Sequence, residues 1–289
     1  MQENKEISAL LQLIDDPDEE VFETVAEKIV LFGRGIIPNL ENLWENTPDE
    51  SVQERIELLI HRLHYHDLRE ELALWARTEQ PDLLLGALLV ARYQFPDLQT
   101  AALLSSLDKI KRNIWLELNN YLTPLEQVNV LNSIIYNYFG MKGSEISYQH
   151  RNQFFLNQVM ESRKGNSLTI GIMYQVLCHM LDLPVLAVNI PRQFILGYFE
   201  AGPESLIPHS ANGKIQFYID PVQGQIFTQK DIETYLKRIS IGSSPSYFRP
   251  ISSRRIIRQL LEETAKCFQN EKEKYKYEEL MNLSAILED

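Results

Sequence analysis

Residues 168–183 are an almost wholly apolar run that comes directly after Arg163-Lys164-Gly165-Asn166-Ser167 and stops at Pro184. A helix that is apolar on nearly every side must be buried on every side, so the rest of the chain has to wrap it. The segments beyond Pro184 supply part of that wrapping. Residues 185–190 and 194–199 read as buried strands, and 215–219 reads as a third after an Asn212-Gly213 turn signal. Asp220-Pro221 and Gly224 punctuate its end, and Thr228 opens a short helix. Two last helices are expected over about 253–268 and 272–287. Upstream, Thr123-Pro124-Leu125-Glu126 has capping-box spacing and opens a helix through about Tyr138, with Gly140 and Gly143 beyond it. These elements predict an α+β fold, predominantly helical, with a central helix packed on a small antiparallel sheet.

A different pattern precedes this body. Asp16-Pro17-Asp18-Glu19-Glu20-Val21 matches Thr47-Pro48-Asp49-Glu50-Ser51-Val52, and further Pro-Asp pairs stand at Pro81-Asp82 and Pro96-Asp97. Asp16 or Thr47 is expected to cap a helix, with proline at its first position and Glu19 or Glu50 completing the box. Val21, Val25, Ile29 and Phe32 make one apolar stripe; Val52, Ile56, Leu59, Ile60 and Leu63 make the next. Stacked helix pairs of this kind resemble HEAT-like repeats. The expected organisation is a helical-repeat arm over 1–104, a core over 105–250 and a C-terminal helical hairpin over 251–289.

Charge obeys the same division. The net charge is −12, and residues 1–80 carry 19 acidic against 7 basic side chains. The acidity argues against a nucleic-acid partner, and Lys237, Arg238, Arg249, Arg254, Arg255 and Arg258 form a basic set without a reading motif. Those residues are expected to cap helix ends or pair with the arm. No apolar run is long enough to span a membrane, and the N-terminus lacks the layout of a secretory signal. Two cysteines, Cys178 and Cys267, build neither a disulfide framework nor a cysteine metal site. The expectation is a cytoplasmic protein with no cofactor and no metal. His61, His64 and His66 beside Asp67 are read as surface histidines at a helix end, because a zinc site needs further ligands and supporting partners.

Lys164-Gly165-Asn166, Leu183-Pro184, Val188-Asn189-Ile190-Pro191, Phe194-Ile195-Leu196 and Ile219-Asp220-Pro221 carry a resemblance. Their order resembles the core of the transglutaminase-like superfamily, which shares its architecture with papain-like cysteine proteases. The likeness covers roughly residues 105–235. It extends to a bacterial branch in which a helical-repeat arm precedes the core and tetratricopeptide-type helices come after it. The resemblance implies a Cys, His and Asp triad. Here the Cys position is Ser167, the His position is Gln193, and the Asp position is Asp220. A serine is a far weaker acid than a thiol and needs a base, and a glutamine amide takes no proton. Gln193 can still hydrogen-bond to Asp220 in the place of an imidazole. His179 lies about 18 Å along the helix from Ser167, too far to serve as that base. Cys178 reads as a buried structural thiol. Simpler readings stand beside these: Ser167 as a helix N-cap and Asp220 as an Asx-turn residue.

The expectation is therefore a catalytically inactive transglutaminase-like protein, acting as a protein-binding or scaffold module through the acidic arm or the degenerate cleft. The alternative is a hydrolase or acyl-transfer enzyme that uses Ser167 with another base, such as His209.

Overall fold

The computed structural model describes residues 2–200, 214–242 and 244–288. The chain divides into two compact units, Met1–Leu74 and Trp75–Asp289.

The first unit contains α1 (Gln2–Gln12), α2 (Glu19–Leu31), α3 (Ile37–Asn46) and most of α4 (Glu50–Arg77). Phe22, Val25, Ala26 and Ile29 of α2 meet Ile56, Leu59 and Leu63 of α4 in one apolar core. Val21 and Phe32 are only partly buried, so the α2 stripe is turned slightly from the expected one. The caps also differ from expectation. Asp18 caps α2 by accepting from Glu20 N at 2.9 Å. Asp49 Oδ1 accepts from Ser51 N at 2.8 Å, and Asp49 O accepts from Gln53 N as the first helical bond of α4. In both places the capping carboxylate comes after the proline, so proline lies outside the helix. Arg55 and Arg62 pair with Glu19 and Glu23 across α4 and α2.

α4 runs 28 residues without a break. His61, His64 and His66 therefore lie mid-helix, not at a helix end. His66 faces Asp67 and Glu70 at 3.5 and 4.0 Å. The run from Leu68 to Trp75 explains the continuation: Leu68, Leu72 and Trp75 keep a buried helical stripe going beyond the histidines.

The second unit continues with α5 (Leu83–Gln94), α6 (Thr100–Glu117), α7 (Pro124–Asn132), β1 (Lys142–Ser144), α8 (Leu156–Ser162), β2 (Lys164–Asn166) and α9 (Ser167–Met180). Then come β3 (Val185–Val188), β4 (Ile195–Phe199), β5 (Ile215–Asp220), β6 (Gln225–Phe227), α10 (Gln229–Arg238), α11 (Ser253–Ala265) and α12 (Lys274–Ala285). The protein is α+β and mostly helical, as its patterning predicts. β3 to β6 form an antiparallel sheet in sequential order, and β1 and β2 form a separate parallel pair. The Thr123 and Thr228 capping boxes are both present.

α9 is the apolar helix on which the unit is built. Helices α5, α6, α8 and α11 pack on it, and so do strands β1 to β4. Its residues from Leu168 to Cys178 are all buried, including Thr169 and Gln175. Gln175 shows how a polar group survives there: its Oε1 accepts from Ala187 N of β3 at 2.8 Å. Among the described residues, no helix is long and apolar enough to cross a membrane.

Candidate functional site

The site is organised by the start of α9. Asn166 is fully buried and caps the helix, its Oδ1 accepting from Thr169 N at 2.9 Å. Its Nδ2 donates to Gln153 O at 3.2 Å, so both ends of the amide are used. The cap is thus Asn166, and Ser167 is the first helical residue. The Asn166 amide therefore both caps the helix and ties its start to Gln153. Ser167 is left half-buried, and its Oγ has no hydrogen-bond partner among the described residues.

Asp220 ends β5, where the chain turns through Pro221 to β6. Its Oδ1 accepts from Val222 N at 2.8 Å, an Asx turn. Burial raises the Asp220 carboxyl above its ordinary range, and the Val222 amide offsets part of that rise. Three groups hold the turn in place. Tyr136 Oη donates to Pro221 O at 2.7 Å. Asn132 Nδ2 donates to Gly224 O at 2.8 Å while its Oδ1 accepts from Tyr174 Oη at 3.0 Å. Gly143 of β1 lies so close that a Cβ there would stand 2.2 Å from Val222 O. The helix expected to run through Tyr138 leaves α-geometry after Asn132 and continues as a π-turn over Ser133–Tyr138. Such turns shift side chains around the axis, and this one supplies Tyr136 to Pro221. Burial, and the neighbouring Asp220 charge, hold the Tyr136 phenol far above its usual range.

Gln193 lies in the turn between β3 and β4, its backbone N–H donating to Ile190 O at 3.3 Å. Its side chain is exposed and makes no hydrogen bond among the described residues.

The elements that carry the three positions meet through neighbouring residues. Gly171 lies one turn along α9 from Ser167. A Cβ at Gly171 would stand 2.3 Å from the Phe194 ring and 3.2 Å from Pro221 Cγ. Phe194 is next to Gln193 in the chain, and Pro221 is next to Asp220, so one glycine receives the chain from both sides. Among the described residues, no hydrogen bond joins Ser167, Gln193 and Asp220 to one another. The expected Gln193–Asp220 bond is absent from this set; the Asp220 carboxylate is directed to Val222 N. The helix start, the hairpin turn and the strand-end carboxylate follow in the order that the resemblance implies. A family model described as the Transglutaminase-like superfamily matches residues 101–262.

The chain belongs to the transglutaminase-like superfamily.

Relatives of this superfamily member include the UPF0162 protein YchA of Escherichia coli, 26% identical over 161 residues, or 54% of this chain and 56% of the relative. Protein SirB1 of Salmonella typhimurium is 24% identical over 152 residues, 53% of this chain and 52% of the relative. A UPF0162 protein of Haemophilus influenzae is 35% identical over 71 residues, 25% and 27% of the two chains. The chain thus spans about half the length of the first relatives it matches. No solved structure matches it.

The remaining candidate groups lie elsewhere and have their own explanations. Cys178 is fully buried, and burial drives its thiol well above the ordinary range, which disfavours a thiolate. Burial also pushes the half-buried Cys267 thiol up to about 12. His179 is exposed near the far end of α9. His209 lies outside the described residues. Among the described residues, no group of three or more His, Cys, Asp or Glu side chains is placed to hold a metal ion. Of the basic set, Arg254 caps a helix end: its Nε donates to Ala76 O and its Nη2 to Thr78 O, both at 2.6 Å. Sequence reasoning missed Asn132, Tyr136 and Asn166. The only advance signal was the polar character of Asn166 shortly before an apolar run.

Proposed function

We propose that this chain is a binding or scaffold protein built on a transglutaminase-like domain whose cleft no longer transfers acyl groups. The observation that carries the reading is a serine hydroxyl at the nucleophile position with no hydrogen-bond partner among the described residues. Nucleophilic catalysis by serine needs a base within hydrogen-bond reach of Oγ. The position that supplies the imidazole in the family holds Gln193, and Asp220 is occupied by its own turn. The protein partner would use the cleft or the acidic arm over 1–104. In support of the arm, residues 1–80 carry 19 acidic against 7 basic side chains, and Arg34, Arg55 and Arg62 are already paired with acids of their own unit. Two free cysteines with raised thiol pKa values accord with a reducing, cytoplasmic setting.

A fluorophosphonate probe tests the state of Ser167, because it labels serines activated by a neighbouring base. Intact-mass and peptide analysis are expected to find Ser167 unlabelled. Stoichiometric labelling at Ser167 contradicts the proposal.

A further inference from the structure

The turn between β3 and β4, which carries Gln193, and one face of α11 line an open cavity of about 680 Å³ that neither Ser167 nor Asp220 borders. That is the size of a small-molecule pocket, roughly 300–1,000 Å³. The walls are fixed by backbone bonds. Ile251 N donates to Ala187 O at 2.9 Å, and Val188 bridges Pro250, so the residues leading into α11 are tied to the edge of β3. Arg255, Arg258, Gln259 and Glu262 then recur at helical spacing on the side facing the cavity.

The charge around this cavity is incompletely matched. Three arginines and two glutamates line it. Both glutamates are engaged by Arg258, Glu262 Oε1 with its Nε at 2.8 Å and Glu288 Oε1 with its Nη2 at 2.9 Å. Among the described residues, Arg255 reaches only a neutral acceptor, Asn189 Oδ1, at 2.9 Å. Arg192 makes no hydrogen bond or ion pair among the described residues, and its backbone is held at φ +62°. A non-glycine residue in that region carries strain, which the Ile190–Gln193 turn sustains. Ile190, Phe194 and Leu287 give the same cavity an apolar side.

We propose that this cavity binds an oxyanion, a carboxylate or a phosphate, carried on an apolar stem, with Arg192 and Arg255 as the clamp. Arg192 and Arg255 are both exposed, and their guanidinium groups present planar paired donors that match both oxyanions. The inference does not depend on whether Ser167 is silent. Its readout is equilibrium binding, so it fails or stands independently of any turnover or labelling result.

The test titrates the full chain calorimetrically with N-acetyl-leucine, phenyl phosphate and the neutral N-acetyl-leucinamide. At least one of the two anions is expected to bind at millimolar concentration or tighter, and the amide is not. Which anion binds identifies carboxylate or phosphate as the preferred group. Arg192→Gln and Arg255→Gln are each expected to weaken binding by about tenfold or more. Arg192 has no described partner to lose, so Arg192→Gln should unfold at the wild-type temperature and keep the test interpretable. Equal behaviour of anions and amide, or anion binding unchanged in both variants, overturns the proposal.

Discussion

Asp220 holds a charge in a place that disfavours it. Its carboxyl is raised by burial, with the Val222 amide working in the opposite direction. In the unfolded chain the group ionises in the ordinary range, so at neutral pH the folded state carries an anion that water would stabilise better. That penalty is absent below the ordinary carboxylate pKa, grows as pH rises through the raised folded value, and is complete above it. Asp220→Asn removes the charge while retaining an oxygen to accept from Val222 N. The variant should resist urea better than the wild type at neutral pH, and the two should converge as pH falls towards about 4. A gap that stays constant with pH would contradict the assignment. Asp220 as a turn residue was legible in the sequence, because an Asx turn is written in two or three adjacent residues. The cap of α9 was legible only to the nearest residue. Ser167 and Asn166 are both good caps, and the choice rests on Gln153 O, a partner remote in sequence.

At the level of elements, α9 was legible from composition alone, and its close crossing with the hairpin was not. Gly171 permits that crossing, since any Cβ there meets the Phe194 ring. Gly171→Ala improves helix propensity by about 1 kcal/mol, but overpacking a core costs about 1–3 kcal/mol and often more when a ring must move. The expected net effect is destabilisation of about 1–2 kcal/mol, seen as a thermal midpoint lowered by several degrees. A midpoint equal to or above the wild type would show that Phe194 yields freely and that the contact does not hold the hairpin. Other elements escaped the patterning for physical reasons. β1 and β2 are three-residue strands whose pairing depends on a partner some twenty positions away. The π-turn at Ser133–Tyr138 is selected by the Tyr136 and Asn132 bonds to the Asp220 turn, not by local propensity. α4 continues past its histidines because Leu68, Leu72 and Trp75 extend its buried stripe, a periodicity that the polar residues between them obscure.

For the molecule as a whole, an acidic helical unit precedes a transglutaminase-like domain. Asn166 caps the start of α9, and Gly171, Phe194 and Pro221 bring the hairpin and the end of β5 against that helix. The side chains placed by that arrangement are a serine, a glutamine and an aspartate committed to a turn. The proposed binding role needs a shaped surface and no proton relay. The decisive measurement is turnover by the purified chain, compared with Ser167→Ala, on peptide amide, ester and amine-incorporation substrates. The wild type and Ser167→Ala are predicted to give the same background rate on every substrate. Turnover by the wild type that disappears in Ser167→Ala would contradict the account.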